Sequence, residues 1–161
     1  SNKPNAAGIK KAQDLGIPTQ IINENFEKSN GLGFEAELTE ILNRHEVKII
    51  CLAGFMRILS KDFIDVFKGR ILNIHPSLLP KYKGLNTHAR AIAAKDKFSG
   101  CSVHLVTAEL DGGPILAQRK VAIDKTDTAE TLSSKVLEEE HLLYPEVLLN
   151  FTHEIKGTLN F

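Results

Sequence analysis

The sequence predicts an α/β fold: an open, mostly parallel, Rossmann-like sheet with helices on both faces. Short runs rich in Ile, Val and Leu alternate along the chain with stretches whose apolar residues recur at helical spacing. The apolar runs are nearly continuous, which is typical of parallel strands that are buried on both faces. The 161 residues contain no internal repeat and no linker rich in Pro, Gly and Ser, so residues 1–161 are expected to form a single domain.

Each element follows from a local pattern. Apolar runs predict strands at residues 19–22, 47–52, 70–74, 101–107 and 115–123. Helical periodicity predicts helices at residues 6–15, 34–45, 60–67, 87–95 and 128–150. Ser60 is expected to be an N-cap, Gly16 and Gly69 to end helices, and Pro145 to kink the last helix or start a new segment. The last two strands can pair antiparallel because the link between them is too short for a crossover helix.

The composition limits the classes of partner. The formal net charge is zero, with 42% hydrophobic and 25% charged residues, so no global charge favours nucleic acid or a membrane surface. No apolar run approaches the roughly 18 residues that a membrane span requires. Cys51 and Cys101 lie in predicted strands and are expected to be buried, reduced thiols, which predicts a cytoplasmic location.

Two polar side chains stand at the end of one predicted strand. Asn73 and His75 project from the same face because side chains alternate along a strand, and Pro76 ends the ladder directly afterwards. An amide and an imidazole side by side offer hydrogen bonds to a carbonyl oxygen that becomes negative during a reaction. Local bonds to the following loop would explain the pair equally well, since most buried polar groups are satisfied locally.

A second polar segment, Asp111-Gly112-Gly113, follows the strand predicted at residues 101–107. Such a sequence is more often an ordinary turn than a site. Glycines also let a ligand or another backbone approach closely. An aspartate held near His75 would favour the charged imidazole, so the two segments together would form a site that stabilises an oxyanion.

Taken in order, these segments resemble the glycinamide ribonucleotide formyltransferase family. The resemblance rests on residues 53–60 (AGFMRILS), 72–84 (LNIHPSLLPKYKG), 102–107 (SVHLVT) and 110–114 (LDGGP). The asparagine, histidine and aspartate are common to folate formyltransferases in general. Three further segments are closer to this family than to methionyl-tRNA formyltransferases: residues 55–59, the continuation at 84–88 (GLNTH) and the pair Val103-His104. Methionyl-tRNA formyltransferases more often have Ala and Pro after the glycine that corresponds to Gly84.

The resemblance implies the formyltransferase fold, 10-formyltetrahydrofolate as cosubstrate, no metal, and a place in purine (IMP) biosynthesis. The formyl group would pass to the amine of 5-phosphoribosylglycinamide. Asn73 would bond the formyl oxygen, His75 would stabilise the oxyanion, and Asp111 would keep His75 charged and move protons. The implied sites comprise folate-binding Met56, Arg57, Ile58, Leu59, Asn73, Thr107, Leu110 and Asp111, and substrate-binding Gly54, Pro76 and Glu140.

The chain also departs from the family's pattern. Family members begin with a strand and a Gly-x-Gly-Ser-Asn turn that holds the substrate phosphate at a helix N-terminus, and nothing in these residues matches it. The domain is therefore expected to be N-terminally incomplete, without its first strands, and to bind folate weakly and turn over no substrate alone. Residues 28–33 also lack the arginine with which many members reach the folate.

Two other functions stay open. A formyltetrahydrofolate deformylase would hydrolyse the same folate, although deformylases usually have a second histidine where Pro76 stands. A non-catalytic folate-binding fragment is the other alternative.

One Glu-x-x-His spacing ends at His141, but iron sites of that type need two copies and partner glutamates. Small molecules are the expected partners, a homodimer stays open, and His104 is expected to be structural or to brace the site.

Overall fold

The computed structural model describes residues 1–22 and 33–158. The chain divides into two compact units, Ser1–Lys48 and Ile49–Phe161, and the prediction of a single domain stays a prediction. The first unit contains helix α1, Ala7–Asp14, and helix α2, Phe34–Arg44. Gly16 has a φ of 69°, a left-handed conformation that fits its predicted role at the end of α1. The predicted helices at residues 6–15 and 34–45 are therefore confirmed.

The strand predicted at residues 19–22 is not formed. The backbone of Gln20 and Ile22 is hydrogen-bonded to Ser1 instead: the Ser1 ammonium donates to the Gln20 carbonyl at 3.0 Å, and the Ile22 N–H donates to the Ser1 carbonyl at 3.0 Å. A strand needs a partner of several residues to form a ladder, and a bond pattern centred on Ser1 does not provide one. An apolar run alone does not supply that partner.

The second unit contains the sheet and three further helices. In chain order these elements are β1 (Ile50–Leu52), α3 (Lys61–Val66), β2 (Ile71–His75), α4 (Thr87–Ala93), β3 (Phe98–Leu105), β4 (Ile115–Ala122) and α5 (Ala129–Thr158). Each matches a predicted element. Ser60 caps α3 as expected, since its hydroxyl accepts from the Phe63 N–H at 3.1 Å. Pro145 lies inside α5, so the chain continues through it as one helix.

Strands within the described ranges form one sheet in the order β1-β2-β3-β4. β1 and β2 are parallel, as a βαβ unit connected by α3 requires. β3 runs antiparallel to β2, and β4 antiparallel to β3, as the short link between the last two strands allowed. The α/β class of the formyltransferase fold is confirmed, with the parallel pairing confined here to β1 and β2.

The two faces of β2 and β3 have different chemistry. On one face, Cys101 and Val103 join an apolar core with α5, formed by Leu132, Val136, Leu143 and Val147. On the opposite face, β2 presents Asn73 and His75, and β3 presents Ser102 and His104 directly across from them. The core thus fixes the strands from one side and leaves a polar row on the other.

The two cysteines do not share an environment. Cys101 is fully buried in the core, and burial raises the pKa of its thiol to about 11. Cys51 is exposed, so its predicted burial is wrong. Cys51 belongs to β1, which is the first strand in the order of the described sheet and pairs there with β2. Burial of a strand depends on its neighbours, which the apolar run at residues 47–52 does not reveal.

Candidate active site

His75 lies buried at the carboxyl end of β2, with 6% of its surface exposed. Its Nε2–H donates to the backbone carbonyl of Tyr82 at 2.9 Å. Because a carbonyl only accepts, that bond fixes a proton on Nε2 and turns Nδ1 toward the other side of the ring. The segment that carries this carbonyl is held in turn by Ser77, whose hydroxyl donates to the Lys81 carbonyl at 2.6 Å.

Asp111 faces the free side of that ring. Its Oδ2 lies 3.4 Å from His75 Nδ1, and only 9% of the Asp111 side chain is exposed. The same oxygen accepts the Gly84 N–H at 2.8 Å, while Oδ1 lies 3.6 Å from His104 Nε2. Our expectation that His75 and Asp111 lie together is therefore met. A proton on Nδ1 would complete a charge-assisted pair with this buried carboxylate.

The loop that carries Asp111 leaves β3, which runs antiparallel to β2, so Asp111 does not follow a parallel strand, whereas Asn73 and His75 lie on β2, which is parallel to β1. Asp111 adopts a φ of 46°, a left-handed conformation that Asp and Asn tolerate better than most residues. The turn closes where the Leu105 N–H donates to the Pro114 carbonyl at 2.9 Å. Local turn chemistry and the site thus use the same residues.

Gly113 lets this turn pass close to the strand. A Cβ at this position would lie 1.9 Å from the Leu105 carbonyl oxygen, so Gly113→Ala must displace backbone. We expect a loss of about 1–3 kcal/mol in the free energy of unfolding, measured by urea denaturation. Gly112→Ala is the matched control, because the three atoms nearest to its Cβ would all belong to the Glu109 side chain, which is flexible and can move. Equal losses in both variants would contradict this assignment.

Asn73 lies directly opposite His104 in the β2–β3 register. The Asn73 Nδ2 is 3.2 Å from His104 Nε2, and His104 Nδ1 is 2.8 Å from the Leu105 carbonyl oxygen. Nδ1 must therefore be the protonated nitrogen of a neutral ring, and Nε2 accepts from the Asn73 amide. Burial lowers the pKa of the His104 imidazole, which favours this neutral form.

A cleft opens beside these side chains. It encloses about 530 Å³, counted with solvent at its mouth. Its apolar wall and its polar groups are the mixture expected of a small-molecule site. The lining residues are Leu52, Phe55, Arg57, Ile58, Leu59, Ile64, Asn73, His104, Val106, Thr107, Ala108, Glu109, Leu110 and Asp111.

Most of the predicted folate-binding residues line this cleft. Met56 does not belong to the lining and is 79% exposed, so in this structure its side chain points into solvent. His75 lies behind the lining, with both ring nitrogens directed at protein atoms. Gly54, with a φ of 63°, and Pro76 also lie outside the lining. The loop at residues 28–33 falls almost entirely outside the described residues.

Glu140 lies on α5 and is half-buried. Burial raises the pKa of its carboxyl group, and the nearby His141 lowers it by a smaller amount. Among the described residues, no hydrogen bond or ion pair reaches this carboxylate. Its neighbour Glu139, by contrast, accepts from Arg119 at 3.1 Å. A partly buried carboxylate that has no partner in the described part of the chain is costly to a fold, which is a common sign of a functional group.

A formyl transferase family model matches residues 1–148 of this chain. The chain belongs to the formyl transferase family. Over 149 residues it is 43% identical to the phosphoribosylglycinamide formyltransferase of Escherichia coli K12, covering 92% of this chain and 69% of that protein. Over 148 residues it is 45% identical to the trifunctional purine biosynthetic protein adenosine-3 of Bos taurus, covering 92% of this chain but 15% of that protein.

Solved structures of this family have the same fold. The phosphoribosylglycinamide formyltransferase of Brucella melitensis superposes with a TM-score of 0.87 at 50% identity, covering 94% of this chain and 77% of that one. The enzyme of Coxiella burnetii, in complex with CHES, superposes with a TM-score of 0.85 at 49% identity, covering 92% and 69%. This chain thus spans a small part of the trifunctional relative and between 69% and 77% of these monofunctional ones.

Two groups in the site were not predicted from the sequence. The Tyr82 carbonyl and the Gly84 N–H are backbone atoms, which leave no trace in a sequence pattern. His104 was expected to be structural or to brace the site, and only the β2–β3 register places it against Asn73.

Within the described ranges, no three His, Cys, Asp or Glu side chains are grouped to hold a metal ion, and no helix is long and apolar enough to cross a bilayer.

Proposed function

We propose that this chain carries the catalytic site of a phosphoribosylglycinamide formyltransferase. The protein would move a formyl group from 10-formyltetrahydrofolate to the primary amine of glycinamide ribonucleotide, in the cytoplasm, during purine synthesis. The observation that carries the proposal is the convergence of Asn73, His75 and Asp111 beside one cleft. Relatives with that activity in their names support it.

The cleft suits a flat, polar ring system attached to an apolar linker. Phe55, Ile58 and Leu110 supply apolar surface on its walls. Residues 106–111 line the same cleft, and a pterin bound there would exchange hydrogen bonds with their backbone N–H and C=O groups. Arg57 lines the cleft and would lie toward the anionic end of the folate. In this arrangement the formyl group would lie near Asn73.

The reaction needs stabilisation of one oxyanion and movement of one proton. The amine attacks the formyl carbon, a C–N bond forms, and the carbonyl electron pair moves to the oxygen. The Asn73 amide N–H donates to that oxygen, and a protonated His75 lowers its energy through its nearby positive charge. Asp111 accepts the proton that the attacking nitrogen loses and passes it to the folate nitrogen. The C=O then re-forms and the bond from carbon to the folate nitrogen breaks.

Glu140 would contact the nucleotide substrate, with Gly54 and Pro76 approaching the same substrate through their backbones. A sugar or amide donor would provide the partner that this carboxylate lacks among the described residues. The fold then bears the cost of desolvating the charge when no substrate is bound.

Glu140→Gln is therefore expected to separate stability from binding. Because burial raises the pKa of this carboxyl group, its charged form destabilises the fold above that pKa. The variant should be more stable than the parent at neutral and higher pH, and this gain should vanish as pH falls and the parent carboxyl becomes protonated. Its KM for glycinamide ribonucleotide should rise about 10-fold or more.

Thermal unfolding between pH 4 and 8 and steady-state kinetics would check both effects. Glu139→Gln is the matched control, because Glu139 is paired with Arg119 and should lose stability at neutral pH. A Glu140→Gln protein that is less stable at pH 7 and has an unchanged KM would contradict the assignment.

The full-length protein provides the test of function. Formation of tetrahydrofolate from 10-formyltetrahydrofolate should require glycinamide ribonucleotide and should cease when this amine is omitted. Equal rates with and without amine, accompanied by formate, would indicate a deformylase. Folate binding without turnover in either mixture would indicate a non-catalytic protein.

A further inference from the structure

We infer that His104 is a positioning residue that sets the orientation of the Asn73 amide for formyl transfer. This inference rests on the proposed function for its kinetic consequence, whereas the geometry stands on its own. An asparagine amide presents donors on one side and an acceptor on the other, and a rotation of 180° about its last bond exchanges them. A developing oxyanion needs the donor side. A neighbouring group in the protein must therefore fix the orientation of the Asn73 amide before the substrate binds.

His104 has the geometry to fix it. Its Nδ1–H is committed to the Leu105 carbonyl at 2.8 Å, which makes Nε2 an acceptor in the neutral ring. That acceptor lies 3.2 Å from Asn73 Nδ2 and takes one of the two amide protons. The flipped amide would place its oxygen against this lone pair, with no proton between them. The second amide proton is left for the cleft, which Asn73 lines.

The surroundings keep this ring immobile and neutral. His104 is 2% exposed, so water does not compete for Nε2. Asp111 Oδ1 lies 3.6 Å from the same nitrogen and would attract a proton to it, while His75 and Lys83 disfavour a charge on the ring. Burial outweighs the attraction of Asp111 and lowers the pKa of His104. The acceptor lone pair is therefore available near neutral pH.

Two substitutions separate positioning from packing. His104→Leu keeps apolar volume but removes the acceptor, and His104→Gln can offer its side-chain oxygen near the place of Nε2. In the full-length protein we expect His104→Leu to lower kcat about 10- to 100-fold, with a smaller effect on the KM for folate. His104→Gln should restore most of kcat. His45→Leu, at an exposed position after α2, is the matched control and should leave kcat unchanged.

A double-mutant cycle with Asn73→Ala gives the decisive comparison. If His104 acts through Asn73, His104→Leu should cost less than about twofold in the Asn73→Ala background, because the group it positions is gone. Losses that multiply would show that His104 acts independently and would overturn the inference. A His104→Gln protein as impaired as His104→Leu would overturn it too.

The side-chain amide signals of Asn73 give a readout that needs no activity. In a 15N-labelled sample, one Asn73 amide proton should be shifted by its bond to His104 Nε2 and should recover its ordinary shift in His104→Leu, which has no acceptor, while His104→Gln keeps that proton hydrogen-bonded. An unchanged pair of signals in a folded His104→Leu protein would contradict the inference. If the parent transfers no formyl group, the proposed function fails while this measurement still decides the orientation of the amide.

Discussion

Asp111→Asn in the full-length protein is expected to lower kcat by about 10²–10³-fold, within the range of a lost general acid–base group. The variant should keep its fold. Asn tolerates the left-handed conformation of residue 111, and its side-chain oxygen can still accept the Gly84 N–H. It loses the negative charge 3.4 Å from His75 Nδ1 and the ability to accept a proton. Folate affinity should change by less than about threefold, because the loss falls on the transition state.

Steady-state kinetics with both substrates and a folate titration would measure this split. Asp124→Asn is the matched control, since Asp124 is an exposed acid paired with Lys135 after β4. Normal turnover in Asp111→Asn would remove this carboxylate from the mechanism. A loss of folate affinity with kcat unchanged would assign Asp111 to uniform substrate binding.

Asn73→Ala is expected to have an effect of similar size, a fall in kcat of about 10²–10³-fold through loss of the donor to the oxyanion. The Ala side chain leaves His104 Nε2 without the amide that it accepts from, so the fold should lose about 1–3 kcal/mol as well. Stopped-flow transfer rates at saturating folate would separate the chemical step from binding.

The stability cost of Asn73→Ala needs its own control. His104→Leu removes the same hydrogen bond from the other side, so the two variants should unfold at similar urea concentrations. Their kcat values should differ, because only Asn73→Ala removes the group that touches the oxyanion. Equal kcat values in both variants would contradict the direct role of Asn73.

Part of this site follows from the sequence by physical rules. Strand alternation places Asn73 and His75 on one face, and Pro76 marks the end of the strand. The structure confirms all of this in β2. The sequence also predicted the helices closely, because their apolar spacing and caps are local features.

What the sequence could not supply is the pairing between distant segments. Nothing in residues 101–107 fixes the register that sets His104 against Asn73, since many registers satisfy the same alternation. The exposed Cys51 and the unformed strand at residues 19–22 have the same origin. The apolar runs at residues 47–52 and 19–22 indicate a tendency to form buried strands. Whether such a strand forms and is buried depends on the strands that lie beside it.

The association of Asp111 with His75 lies between these cases. The turn sequence predicts a tight loop but gives no direction to the carboxylate. Three contacts aim it in the folded protein: the Gly84 N–H, the His75 ring and the His104 ring. The resemblance to a known family supplies that association, which the turn sequence alone does not.

The fate of a labelled formyl group tests the central claim most directly. In a single turnover, the full-length protein would be mixed with 10-formyltetrahydrofolate that carries an isotopic label in its formyl carbon, and with glycinamide ribonucleotide. We predict that the label moves to the glycinamide nitrogen in a one-to-one ratio with the tetrahydrofolate released, and that this transfer falls with the Asn73→Ala and Asp111→Asn substitutions. Label recovered as free formate, or transfer that is unaffected by both substitutions, would contradict the account.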